Sequence, residues 1–77
     1  MVDAKHAGWL ARVTTIGAQP HLRDFYVYEL DKQRALMLVR YQAHVSIGEQ
    51  VTLLDVLTEN ELASYGVRPG EVKRASK

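Results

Sequence analysis

Residues 30–43 read Leu-Asp-Lys-Gln-Arg-Ala-Leu-Met-Leu-Val-Arg-Tyr-Gln-Ala, and this stretch most limits what the chain can become. Asp31 suits a helix N-cap, because its carboxylate can accept a bond from one of the first unpaired amides and its charge complements the helix dipole. Ala35, Leu36, Leu38, Val39, Gln42 and Ala43 fall near the 3.6-residue period, while Lys32, Arg34 and Arg40 can point outward. Strand-like runs lie on both sides. The expected arrangement is therefore one amphipathic helix over residues 31–43 lying on a small sheet.

The runs themselves are distinct. Residues 9–16 (Trp-Leu-Ala-Arg-Val-Thr-Thr-Ile) are aromatic and β-branched with no helical stripe, which predicts a first strand. Gly17 and Pro20 mark a loop that leads to residues 24–30, the most strand-like segment of the chain. There Phe25, Val27 and Glu29 share one face, and Tyr26, Tyr28 and Leu30 share the other. Buried tyrosine hydroxyls need partners, so Phe25 and Val27 are expected under the helix and the tyrosines opposite. Residues 51–57 (Val-Thr-Leu-Leu-Asp-Val-Leu) fit a strand or a buried helix by periodicity, and their β-branched content favours strand.

Thr58 and Glu61 then form a capping box that opens a short second helix, with Leu62 and Tyr65 inward. Gly66 suits a left-handed helix stop, and residues 68–71 (Arg-Pro-Gly-Glu) suit a type II turn.

The expected fold is α+β in the order β-β-α-β-α. It has a three-stranded antiparallel sheet, one main helix packed on one face and a short second helix. A right-handed crossover sets the third strand parallel to the second, giving the spatial order second, first, third. Trp9, Val13, Phe25, Val27, Leu36, Val39, Leu53 and Leu57 form the expected core. Residues 1–77 are read as a single domain with 1–7 frayed; residues 71–75 add a brief edge strand or trail off, and 72–77 are read as a flexible basic tail. At this length about 60% of the unfolded surface is hidden on folding, and the absence of cysteine removes disulfides and thiolate zinc as supports. Self-association is one of the remaining ways to stabilise such a chain.

Apolar residues make up 47% and charged residues 25%, which argues for a folded domain, and a net charge of +1 gives no strong pull toward nucleic acid or membrane. Acidic groups concentrate in residues 49–71, and Lys73, Arg74 and Lys77 follow. No apolar run reaches membrane-spanning length, and the first residues lack the apolar core of a signal peptide, so the expected compartment is the cytoplasm.

Catalytic chemistry finds little footing. His6 and His21 flank the first strand, which separates them by about 27 Å at ~3.4 Å per residue, too far to share a metal. His44, Asp24 and Ser46 make a faint polar grouping near His21, but three exposed histidines explain the same pattern. Ser46 and Ser64 lack a nucleophile elbow, Asp55 suits an exposed strand edge, and the Gly66–Gly70 stretch is too short for a phosphate loop. No cofactor or metal is expected, and the protein is read as non-enzymatic. The sheet face with Arg12, Tyr26 and Tyr28 is the candidate interaction surface. Its partner is expected to be a second copy or another protein, because an incompletely covered apolar sheet face usually meets something. Stacking of single-stranded nucleic acid on the two tyrosines beside Arg12 is the alternative.

Overall fold

The computed structural model describes residues 5–17 and 21–75. Its elements are β1 (His6–Thr15), β2 (Leu22–Val27), α1 (Lys32–Gln42), β3 (Glu49–Thr58), α2 (Glu59–Ser64) and β4 (Val72–Arg74). The fold is α+β. One sheet runs in the order β3-β1-β2-β4, with every neighbouring pair antiparallel. The expected order of second, first, third strand is present and is extended by β4. Of the two outcomes open for residues 71–75, the edge strand is the one formed: Val72–Arg74 pair with β2 instead of trailing off as a loose tail, and the Ala75 amide continues that ladder to the Asp24 carbonyl at 2.8 Å. Its cause is the turn before it: Glu71 N–H donates to the Arg68 carbonyl at 2.9 Å, and Gly70 supplies the φ of 78° that folds the chain back. At the other end, His6 and Ala7 belong to β1; residues 1–4, 18–20, 76 and 77 lie outside the described residues.

Local signals act where the sequence places them. Asp31 caps α1, its carboxylate accepting from the Arg34 amide at 3.0 Å. The helix closes at Ala43, and His44 adopts φ 54° so that the Val45 amide can reach the Arg40 carbonyl at 3.0 Å. Thr58 and Glu61 form the capping box of α2, and Gly66 (φ 76°) ends it, with the Val67 amide bonding back to the Leu62 carbonyl at 3.0 Å.

Two small cores lie on opposite faces of the sheet. Under α1, Ala11, Val13, Phe25 and Val27 pack against Ala35 and Val39, with Trp9, Leu38, Val45, Val51 and Leu53 around them. Under α2, Leu57, Leu62 and Val67 pack with Ala7, Leu10, Tyr26 and Tyr28. Val13, Phe25, Val27, Val39 and Leu57 are buried as expected, whereas Trp9, Leu36 and Leu53 are half-buried. Trp9 sits at the rim because its indole N–H donates to the Leu30 carbonyl at 2.9 Å, and the Lys32 ammonium lies 5.5 Å over its ring.

Leu57 was expected beneath α1 and lies beneath α2. The register explains the change: Ala11 pairs with Leu53 but Leu10 pairs with Asp55, so Leu54 is an extra residue in β3. This bulge reverses the alternation beyond it. Val51 and Leu53 therefore point to α1, Leu57 points to α2, and Val56, opposite Trp9, joins the α1 side.

Gly8 faces α2 where the helix comes closest to the sheet. A Cβ there would lie 2.1 Å from the Val27 carbonyl oxygen and 2.9 Å from Leu62 Cδ1. Gly8→Ala is expected to lower stability by about 1–3 kcal/mol through overpacking. His44→Gly is expected to raise it by roughly 0.5–1 kcal/mol, since the left-handed position no longer carries a Cβ. Urea denaturation of both variants against the natural chain checks the two signs.

Candidate interaction surface

Arg12, Tyr26 and Tyr28 occupy one face of the sheet, as their alternation predicts, and each is engaged within the chain. Arg12 and Asp24 stand opposite each other on β1 and β2 and form a two-bond ion pair, Nε to Oδ1 at 2.8 Å and Nη2 to Oδ2 at 3.1 Å. Hydrogen bonding to Asp24, reinforced by its charge, raises the Arg12 pKa. Tyr26 stacks on Tyr65, with ring centroids 4.1 Å apart and planes 9° from parallel. Tyr28 packs beside Leu57, Leu62 and Val67. Thus α2 covers the tyrosine half of the face. Thr14, Leu22, Gln50 and Thr52 are left around the Arg12–Asp24 pair on the other half.

The polar grouping near His44 disperses. Ser46 gives both its amide and its hydroxyl to Glu49, at 3.0 and 3.2 Å, and Asp24 is bound to Arg12. Among the described residues no three His, Asp or Glu side chains gather as a metal-ligating group. Ser64 Oγ donates to the Glu61 carbonyl at 2.7 Å, and Asp55 is exposed. Among the described residues no helix is long and apolar enough to cross a membrane.

Side chains occupy part of each sheet edge. From Gly8 to Ile16 the even-numbered residues turn their backbone toward β3, as the Ile16 amide does toward the Gly48 carbonyl, and a second register shift between His6 and Gly8 changes that parity below Gly8. Val56, opposite odd-numbered Trp9, therefore turns its amide outward, and the neighbouring Asp55 carboxylate accepts it at 3.0 Å. The next outward amide, that of Thr58, is taken by Glu61 at 3.0 Å. On the far edge, Gln42 of α1 donates to the Gly70 carbonyl and accepts from the Val72 amide, both at 3.0 Å. With the Leu54 bulge, these bonds confine the backbone open to another strand on the β3 edge to the stretch around Val51 and Leu53, opposite Val13 and Ala11.

Exposed apolar surface gathers instead on one flank of α1. Arg34, Met37, Leu38 and Tyr41, with Glu29 from the connection before the helix, line an open groove of about 340 Å³. Met37 is 67% and Tyr41 82% exposed. Glu29 accepts a bond from the Asp31 amide at 3.0 Å. Neither Glu29 nor Arg34 has an ion-pair partner among the described residues. The spacing 34, 37, 38, 41 was present in the sequence, but Ala35, Leu36, Val39 and Gln42 form the stronger stripe beside it and draw the eye to the core side. Comparison with protein-family models, curated protein sequences and solved structures finds no match for this chain.

Below the α1 core, Glu49 joins three parts of the chain. It accepts from the Ser46 amide, from Thr15 Oγ1 at 3.0 Å and from Arg23 Nη2 at 2.5 Å. The Ser46 amide first, then Thr15 and Arg23, outweigh desolvation and pull its pKa down to about 2. A carboxyl with a lower pKa in the folded state than in the unfolded chain, where it is about 4.3, stabilises the fold above that value. That contribution is lost as the pH falls through about 2. Thermal melting between about pH 6 and pH 2 is expected to fall more steeply for the natural chain than for Glu49→Gln. Parallel curves for the two proteins would show that Glu49 contributes no linkage.

Proposed function

We propose that this chain is a non-enzymatic protein-interaction domain whose contact surface is the α1 flank formed by Arg34, Met37, Leu38 and Tyr41 with Glu29. The observation that carries this reading is the pairing of a groove with its most exposed large side chains, Met37 and Tyr41, on an ordered helix. A contiguous apolar patch rimmed by polar groups favours a macromolecular contact over open water. Protein partners also favour a surface with both an aromatic and an arginine, the residue types that dominate binding energy at interfaces. The contact surface differs from the sheet face expected from the sequence, where α2 and Tyr65 already cover the tyrosines.

Binding of single-stranded nucleic acid draws no support from that face. One ring face of Tyr26 is taken by Tyr65, and the Arg12 charge is paired with Asp24.

Two measurements together test the reading. Amide spectra recorded across a protein concentration series report homotypic contact, and panning of a displayed random-peptide library reports heterotypic contact. At least one is expected to map to Met37 and Tyr41 and to be lost in Met37→Glu. If neither concentration-dependent shifts nor selected peptides map to the groove, the reading fails.

A further inference from the structure

We infer that the occupant of this groove is a second copy of the chain, packed α1 against α1 about a two-fold axis; the inference rests on the groove being a protein contact. Charge is the first argument. The groove carries one cation, Arg34, and one carboxylate, Glu29, and among the described residues neither is ion-paired. A groove shaped for an acidic or a basic peptide would present one sign. A two-fold contact needs no partner of one sign, because each copy brings the same mixed rim to the other.

Helix geometry is the second. Residues 34, 37, 38 and 41 recur at the i, i+3, i+4, i+7 spacing of a single helical stripe. An antiparallel copy centred on Met37 and Leu38 sets residue 34 opposite residue 41. The Arg34 guanidinium then lies over the exposed Tyr41 ring, a favourable cation–π arrangement, with the Glu29 carboxylate on the same groove wall. Met37 meets its own copy near the axis, where its flexible thioether adapts to an apolar neighbour.

The shortage of buried surface is the third. Nine apolar residues are buried among those described, two of them alanines, against eight large ones left exposed. A chain of this length without cysteine gains from further burial. The strand route to that burial is narrowed by Gln42, Asp55 and Glu61 at the sheet edges, while the α1 flank is open.

Sedimentation velocity and equilibrium on the whole chain test the pairing. A contact made by one short helix is small, so dissociation in the range of about 10–100 μM is expected. The weight-average mass should rise from 8.7 kDa toward twice that value as concentration increases. Met37→Glu, at an exposed position, should retain the far-UV dichroism of the natural chain and weaken association at least about tenfold. Arg34→Glu should weaken it as well, and so should Tyr41→Ala, with the two together costing less than the sum of the single losses. A strict monomer at about 1 mM, far above that range, overturns the second-copy inference. Association untouched by Met37→Glu overturns it too, as does association untouched by Tyr41→Ala. Should the chain stay monomeric while selected peptides bind at Met37 and Tyr41, the protein-contact reading stands and the second copy is ruled out. A monomer that also selects no such peptide removes both.

Discussion

The extra residue at Leu54 governs how β3 serves a sheet covered on both sides. A regular strand delivers alternate side chains to fixed faces along its whole length, so β3 would have sent Val51, Leu53 and Leu57 to the same side. That arrangement would send Leu54 and Val56 to the α2 face and take Leu57, which now packs with Leu62 and Val67, away from it. The bulge changes the parity once, placing Val51 and Leu53 under α1 and Leu57 under α2. Full burial of a leucine contributes about 1.5–3 kcal/mol, a large share for a cluster with three buried members. Gly8, opposite Leu57 in the ladder, lets α2 come down onto it by presenting no Cβ toward Val27 and Leu62.

Polar side chains then hold what the small cores do not. Glu49 draws the connection after α1 (Ser46) to β1 (Thr15) and β2 (Arg23) through one carboxylate with an 11% exposed side chain. Gln42 performs the corresponding role at the other edge, binding the backbone of the Arg68–Glu71 turn and of β4 with both ends of its amide. Each of these bonds satisfies backbone groups or charges that would otherwise compete for water. Net contributions of about 0.5–1.5 kcal/mol per neutral bond are comparable with single packing contacts in so small a protein. The Gln42 bond also takes the outward Val72 amide at the β4 edge, which makes that edge a poorer template for another strand.

The aromatic residues show how the same chemistry can serve two ends. Tyr26 and Tyr28 on a sheet beside an arginine resemble, in composition, a platform for stacking bases. The chain uses Tyr26 to stack on Tyr65 of the α2 terminus and Arg12 to bridge β1 and β2 through Asp24. Tyr41, by contrast, has no ring partner among the described residues, and it stands beside Met37 and a guanidinium that makes no ion pair. Exposure of this combination on a rigid helix is what directs the functional proposal to α1.

Elements with local causes were legible along the chain. The Asp31 cap, the Thr58–Glu61 box, the Gly66 stop and the Pro69-Gly70 turn each depend on residues three to five positions apart, so their chemistry can be read along the chain. The β-β-α-β-α order and the central place of the Trp9 strand followed from hydrophobic period and crossover handedness. Tertiary structure decided the rest. The Leu54 bulge depends on which residue of β1 stands opposite, and β4 depends on an open edge of β2 and on Gln42, thirty positions from Val72. The fate of Tyr26 depends on Tyr65. An apolar residue on a helix is core or surface according to where the sheet lies, and for Met37 and Tyr41 only the packed chain places them on the outside.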